Sequence, residues 1–110
     1  MPITQIDPKA LAELLKLPAE KRPLLLDVRT PREAQLVSIP HSVLIPLQDF
    51  ASRQEDLEAL RGSEVIVYCH LGVRSLHGAA FLQAMGIKAS SLRGGIDLYA
   101  IDVEPTLPRY

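Results

Sequence analysis

Short apolar runs suited to β-strands recur along the chain and are separated by stretches with helical spacing. The runs fall at residues 3–6, 24–28, 43–45, 65–68 and 89–92. Those at 24–28 and 65–68 are almost continuously hydrophobic, as expected for strands that are buried on both faces of a parallel sheet. The alternation of strands and helices predicts an α/β fold with a five-stranded, mainly parallel sheet that helices cover on both faces.

Signals for helix starts lie between these runs. Pro8 directly after Asp7 is typical of a first helical turn. Thr30 and Glu33 have the spacing of a capping box, which predicts a short helix after the second strand. Apolar positions at helical spacing predict two further helices, over residues 46–60 and 96–100.

Length and composition indicate one domain. A chain of 110 residues with 47% hydrophobic content can bury one core, so we predict a single domain over 1–110, with its core at about 3–100 and an extended tail at 101–110. A net charge of −1 gives no reason to expect nucleic acid or an anionic membrane as a partner. No leader and no long apolar span are visible, which predicts a soluble, cytoplasmic protein.

The chain has one cysteine, Cys69, so it forms no internal disulfide, and no His/Cys spacing indicates a metal site. Cys69 directly follows the fourth apolar run and precedes a helical pattern for which Ser75 is a candidate N-cap and Gly86 the end. The carboxyl end of a central strand is where α/β sheets bind their ligands. Cys69 is therefore the candidate nucleophile, with a buried core cysteine as the alternative interpretation.

The residues after Cys69 favour the reactive interpretation. Gly72 lets the backbone turn inward, and loop N–H groups at a helix start would favour a thiolate and an anion beside it. Arg74 adds a planar cation that can orient an oxyanion at two points. His70 either raises the positive potential or points to solvent. Leu71 makes the pocket less polar than a loop with further basic residues would be.

These features resemble the rhodanese family of sulfurtransferases, and the resemblance covers about residues 24–99. The active-site half is matched by Val65-Ile66-Val67-Tyr68-Cys69-His70-Leu71-Gly72-Val73-Arg74-Ser75, by Ala79-Ala80, Leu82 and Gly86, and by Leu92-Arg93-Gly94-Gly95-Ile96. The first half is matched by Leu25-Leu26-Asp27-Val28-Arg29, Pro31-Arg32-Glu33, Ile39-Pro40 and Ile45-Pro46. The combination is specific, although each piece alone is common.

The resemblance implies sulfur transfer through a persulfide on Cys69, without metal or organic cofactor. Thiosulfate or a persulfide would load the sulfur, with the apolar Leu71 favouring a protein persulfide, and cyanide, a thiol or a sulfur-carrier protein would accept it. The substrate loop would comprise His70, Leu71, Gly72, Val73, Arg74 and Ser75, with its N–H groups on the persulfide and Arg74 on the donor's sulfonate. Asp27 and Arg29 end the second strand, where we favour a structural ion pair over a catalytic role.

The chain departs from the family pattern between residues 34 and 44. Ala34, Val37-Ser38, His41-Ser42 and Leu44 replace an aromatic residue, Gly-His, Gly-Ala and Asn. Those positions normally build a turn beside the active site, so one wall of the pocket is expected to differ. His41 has no acidic partner by spacing and is interpreted as a solvated loop residue.

Two other functions share this kind of site. In cysteine phosphatases and arsenate reductases an oxyanion lies between Cys and Arg. The loop of those enzymes has the pattern Cys-x5-Arg, whereas Cys69 and Arg74 are spaced as Cys-x4-Arg. The shorter loop suits a sulfur atom better than a tetrahedral phosphate. A non-catalytic interaction module of the same fold is the second alternative, although such modules often lack the cysteine that is present here.

Overall fold

The computed structural model describes residues 2–110, which contain a five-stranded sheet in the order β1-β5-β4-β2-β3. All its strand pairs are parallel. The strands are β1 (Gln5–Ile6), β2 (Leu24–Asp27), β3 (Val43–Leu44), β4 (Val65–Tyr68) and β5 (Ala89–Leu92). The predicted α/β fold is therefore confirmed, with a sheet that is wholly rather than mainly parallel.

Five α-helices connect and cover these strands. They are α1 (Pro8–Leu14), α2 (Pro31–Leu36), α3 (Gln54–Glu58), α4 (Arg74–Ala84) and α5 (Gly95–Asp102). One buried cluster joins α3 and α4 to one face of the sheet, and a second joins α1 and α5 to the other face. Helices thus lie on both faces, as the sequence pattern predicts.

The two central strands contribute to both clusters because successive side chains of a strand point to opposite faces. Leu26 and Val67 lie in the first cluster, whereas Leu25 and Ile66 lie in the second. These residues are at most 3% exposed. A strand with two buried faces favours apolar residues at nearly every position, which explains the runs in β2 and β4; Asp27, at the end of β2, is the charged exception.

The predicted continuous helix over 46–60 was wrong. The segment forms a 3₁₀ helix, Leu47–Asp49, and then, after an interruption, the short helix α3. Arg53 at the interruption has φ −120° and ψ 38°, outside the helical region. Arg53 N–H still donates to the Asp49 carbonyl at 3.0 Å, and the backbone leaves the helical region at Arg53 itself.

The last helix extends further than predicted. Helix α5 begins at Gly95 and continues to Asp102, so the first two residues of the predicted extended tail are helical. Beyond it, Val103 and Leu107 pack against the second buried cluster. The tail therefore returns along the domain toward the carboxyl ends of the strands.

Candidate active site

The Cys69 loop lies at the carboxyl edge of the sheet, between β4 and α4. Tyr68 ends β4 and is in register with Asp27, the last residue of β2. Cys69 is the next residue, and α4 begins five positions later at Arg74. The structure thus places Cys69 beside the Asp27-Val28-Arg29 segment, as expected for two neighbouring parallel strands.

Backbone N–H groups of the loop point at the sulfur of Cys69. Gly72 N–H and Ser75 N–H donate to Sγ at N···S distances of 3.1 and 3.3 Å. The thiol donates to the Ser75 hydroxyl at 3.4 Å, and that hydroxyl bonds Ser91 Oγ at 2.7 Å. Fixed donors converging on one atom stabilise negative charge on it.

A small cavity of about 160 Å³ opens at Cys69. It is lined by Cys69, His70, Leu71, Val73 and Arg74. Cys69 itself is 1% exposed, so a reagent must enter this cavity to reach the sulfur. The lining comes from the loop itself, and none of residues 34–44 contributes to it.

Ser75 is not the N-cap of the following helix. Val73 occupies the cap position, and α4 already includes Ser75 in its first turn, fully buried. Its N–H and hydroxyl therefore serve Cys69 and Ser91 instead of closing the helix end. The predicted helix cap was therefore wrong, whereas Ser75 N–H donates to the sulfur.

The start of α5 binds the backbone of the Cys69 loop through hydrogen bonds to two carbonyl groups. Ile96 N–H donates to the Cys69 carbonyl at 2.9 Å, and Asp97 N–H donates to the His70 carbonyl at 3.1 Å. Gly95 has φ +63°, and a Cβ there would collide with the carbonyl groups of both loop residues. The close approach of the two segments therefore requires glycine, a role beyond the simple turn predicted for Gly94-Gly95.

Arg74 forms a two-point ion pair with Glu33 of α2. Its Nη1 and Nη2 lie 2.7 and 2.9 Å from the Glu33 carboxylate oxygens. The hydrogen bond from Arg74 holds the pKa of Glu33 well below its usual range, and the hydrogen bond to Glu33 raises the pKa of Arg74. The guanidinium predicted to bind the donor thus already has a carboxylate partner.

Glu33 was missed as a residue of the site. Its sequence signal was the capping box, which the structure confirms: the Thr30 hydroxyl accepts from Glu33 N–H, and Glu33 Oε1 accepts from Thr30 N–H. The same carboxylate also faces the Cys69 loop 41 residues away in sequence. Local spacing gives no sign of that second contact.

Asp27 and Arg29 form a buried ion pair, at 1% and 0% exposure. Arg29 Nη2 and Nε lie 2.8 and 2.9 Å from the two carboxylate oxygens. Burial alone would lower the pKa of Arg29, but hydrogen bonds to Asp27 and Tyr110 outweigh it and raise that pKa. Arg29 also donates to the Val37 carbonyl at 2.7 Å, which fits the structural anchor favoured from the sequence.

Tyr68 fixes the atypical segment after α2. Its hydroxyl accepts from Ile39 N–H at 3.2 Å and bonds Ser42 Oγ at 2.7 Å. Burial raises the pKa of Tyr68. Ser42, one of the departures from the family pattern, is thus an integral part of the turn, whereas His41 beside it is exposed, with φ +68°.

The end of the chain reaches the site, which the sequence did not indicate. The Tyr110 ring stacks on His70, with centroids 3.8 Å apart and an angle of 11° between the planes. The His70 ring is partly buried, and its Nε2 is buried without a hydrogen-bond partner among residues 2–110. His70 therefore does not point freely to solvent.

Within residues 2–110, no group of three or more His, Cys, Asp or Glu side chains could hold a metal ion. In the same part of the chain, no helix is both long and apolar enough to cross a membrane. A larger cavity, about 1060 Å³, lies at the opposite end of the sheet, near Leu24 and Glu64. It is remote from Cys69 because these residues stand at the amino ends of β2 and β4.

Comparison with known proteins identifies the family. The model of the rhodanese-like domain matches residues 10–102. The chain belongs to the rhodanese-like domain family. Similar proteins of comparable length are a sulfurtransferase of Allochromatium vinosum, 31% identical with 89% of each chain covered, and a putative sulfurtransferase of Bacillus subtilis, 30% identical over 96% of this chain and 98% of that one.

Solved structures share the rhodanese fold. A rhodanese-related protein from Thermoplasma volcanium is 29% identical, with a TM-score of 0.81 over 93% of this chain and 95% of that one. Other relatives are much longer. The chain is 35% identical, over 78% of its own length, to a rhodanese-like/PpiC domain-containing protein of Arabidopsis thaliana, of which it spans 30%. It is 32% identical, over 79% of its own length, to an adenylyltransferase and sulfurtransferase of Yarrowia lipolytica, of which it spans 22%.

Proposed function

We propose that the protein is a sulfurtransferase that carries a sulfane sulfur as a persulfide on Cys69. The observation that carries the proposal is the convergence of Gly72 N–H and Ser75 N–H on Sγ, inside a cavity just large enough for a small group. Sulfur transfer in general is also supported by relatives named sulfurtransferases that match nearly end to end.

In the loading step the Cys69 thiolate attacks the sulfane sulfur of the donor. A new S–S bond forms to Cys69 while the donor's S–S bond breaks, and sulfite leaves with that electron pair when thiosulfate is the donor. The product is an anionic persulfide, whose charge lies next to the loop N–H groups. Because those donors are already in place, they need no reorganisation during the step.

In the unloading step cyanide or an acceptor thiolate attacks the outer sulfur. The bond between Cys69 Sγ and the outer sulfur breaks, its electrons return to Cys69 as thiolate, and thiocyanate or an acceptor persulfide is released. Donor and acceptor use the same small cavity in turn, so ping-pong kinetics follow. No step requires a metal ion or organic cofactor.

The mouth of the cavity favours a thiol-borne persulfide over thiosulfate as donor. Leu71 and Val73 line the cavity and are 60% and 64% exposed, which gives it an apolar rim. Arg74 lines it too, but its charge is compensated by Glu33. A doubly charged small anion therefore gains less here than beside an unpaired cation, and a thiol or sulfur-carrier protein that presents a persulfide fits the rim better.

Initial rates with donor and acceptor both varied test this proposal. Thiosulfate and a low-molecular-weight persulfide are compared as donors, with cyanide and a thiol as acceptors, for the wild type and for Cys69→Ser. We expect parallel double-reciprocal lines, a higher kcat/KM for the persulfide, and no transfer by the variant. Transfer that persists in Cys69→Ser contradicts the proposal, as does hydrolysis of a phosphate ester, or reduction of arsenate by an added thiol, without any sulfur transfer.

A further inference from the structure

The last residues of the chain bind the site at several points. The Tyr110 hydroxyl donates to Glu33 Oε2 at 2.7 Å and accepts from Arg29 Nη1 at 2.9 Å. Arg109 pairs with Asp97, its Nε 2.8 Å from Oδ1. The backbone N–H of Asp97 in turn donates to the His70 carbonyl. The Tyr110 ring stacks on the imidazole of the same His70.

Tyr110 thereby connects the guanidinium of one ion pair to the carboxylate of another, beside a direct bond from Arg29 Nη1 to the Glu33 carbonyl at 3.4 Å. Its hydroxyl lies between the buried pair Asp27–Arg29 and the pair Glu33–Arg74 at the cavity. The four charges alternate in sign along this path. Two residues that line the cavity are linked to Tyr110: His70 stacks on its ring, and Arg74 binds the same Glu33 oxygen as its hydroxyl.

We propose that Tyr110 is a positioning residue for the Cys69 cavity. Its ring holds the His70 imidazole in place, and its hydroxyl holds the Glu33 carboxylate in the orientation that fixes Arg74 beside the cavity. The expected effect of Tyr110 on sulfur transfer rests on the proposed function. Its effect on the placement of His70 and Arg74 does not. Tyr110 touches no reacting atom, so it acts only through these neighbours.

Selective alkylation of Cys69 tests the proposal without any sulfur donor. Iodoacetate and iodoacetamide are similar in size but differ in charge, so the ratio of their rate constants reports the potential beside Sγ. Tyr110→Leu removes ring and hydroxyl, Tyr110→Phe removes only the hydroxyl, and Tyr99→Phe is the matched control. Tyr99 lies in the second core cluster and lines the remote cavity.

We expect the iodoacetate/iodoacetamide ratio to fall about fivefold in Tyr110→Leu and about twofold in Tyr110→Phe, and to stay unchanged in Tyr99→Phe. Circular dichroism and thermal unfolding verify that each variant is folded, which is expected because Tyr110 is 40% exposed. An unchanged ratio in Tyr110→Leu overturns the proposal. An equal fall in Tyr99→Phe also overturns it, since the effect would then be general.

Steady-state kinetics separate this proposal from the proposed function. With a persulfide donor, we expect Tyr110→Leu to raise KM more than it lowers kcat, and Tyr110→Phe to restore part of the loss. If the wild type transfers no sulfur but the alkylation ratio still falls in Tyr110→Leu, the proposed function fails and the positioning role stands. If transfer is normal in all variants and the ratio is constant, only the positioning role fails.

Discussion

The guanidinium of Arg29 is fully buried, and the Asp27 carboxylate beside it offsets the cost of burying its charge. Asp27 neutralises its charge, and the Val37 carbonyl and the Tyr110 hydroxyl accept two further hydrogen bonds. The pair adds little net stability compared with apolar side chains, but removal of one partner leaves an uncompensated charge in the interior. Single and double variants should therefore behave very differently.

Arg29→Met is expected to reduce the free energy of unfolding by about 3 to 5 kcal/mol, because Asp27 then stays buried without its partner. The double variant Asp27→Leu/Arg29→Met should recover part of this loss. Urea unfolding monitored by circular dichroism measures both. A loss below about 1 kcal/mol in the single variant contradicts a buried and coupled pair.

The Glu33 carboxylate predicts a defined dependence of stability on pH. Its pKa in the folded protein is lowered, chiefly by the hydrogen bond from Arg74, relative to an ordinary value of 4.5. A lowered folded pKa means that its stabilisation is fully present above the ordinary value and is lost as the pH falls below it. The pair itself is only partly exposed, with Glu33 at 18%.

The wild type should accordingly lose more stability than Glu33→Gln between about pH 6 and about pH 3, with a difference near neutral pH of about 2 kcal/mol. Denaturant unfolding across this pH range measures the difference. It should shrink steadily on acidification. A difference that grows toward low pH contradicts the assigned direction of the pKa shift.

At the scale of elements, the packing of α5 against the Cys69 loop depends on one glycine. A side chain at Gly95 would collide with the carbonyl groups of Cys69 and His70, and its φ of +63° is strained for other residues. Gly62 offers a matched control, because its φ is also positive, at +92°, but a Cβ there meets nothing within 4 Å.

Gly95→Ala is expected to destabilise the fold by about 3 kcal/mol or more and to slow alkylation or sulfur loading of Cys69, since the loop must move. Gly62→Ala should cost only about 1 kcal/mol and leave Cys69 unaffected. Thermal unfolding and the rate of reaction with iodoacetamide check both. Equal effects of the two substitutions would show that the close approach of Gly95 to the Cys69 loop contributes nothing to stability or to the reactivity of Cys69.

Elements that are set by local signals were predicted well. Strand β4 and the first three residues of β2 are apolar runs, and the capping box at Thr30 marks the start of α2. The break within 46–60 was not predictable, because the apolar spacing continues past Arg53, where φ −120° and ψ 38° leave the helical region. At the start of this segment, Leu47 N–H donates to the Val28 carbonyl of a distant part of the chain. The spacing of apolar residues shows which face of a segment is buried, but it does not show backbone breaks or contacts with distant segments.

The candidate site shows the same division. Cys69 and its loop follow from their place after a buried strand, and the structure brings Gly72 and Ser75 onto the sulfur. The contacts of Arg74 with Glu33 and of His70 with Tyr110 join residues 41 and 40 positions apart, so no local pattern indicates them. Partners across the fold decide whether a charged side chain is free to bind substrate.

The whole molecule brings distant parts of the chain to one edge of one sheet. Segments that follow β2 and β4, the start of α5 and the end of the chain all meet at the Cys69 loop. The sulfur is thereby nearly inaccessible except through one small cavity, which suits the storage of a single reactive sulfur atom. On the proposed function, a persulfide at this position would be shielded from oxidants too large to enter the cavity.

The intact mass of the protein tests the central claim most directly. The wild type and Cys69→Ser are incubated with a persulfide donor or with thiosulfate, freed of donor, weighed by mass spectrometry, and weighed again after cyanide. The persulfide mechanism predicts that the wild type gains the mass of one sulfur atom, that cyanide removes it, and that Cys69→Ser gains nothing. A wild type that gains no sulfur from either donor, or a variant that gains it equally, contradicts the mechanism.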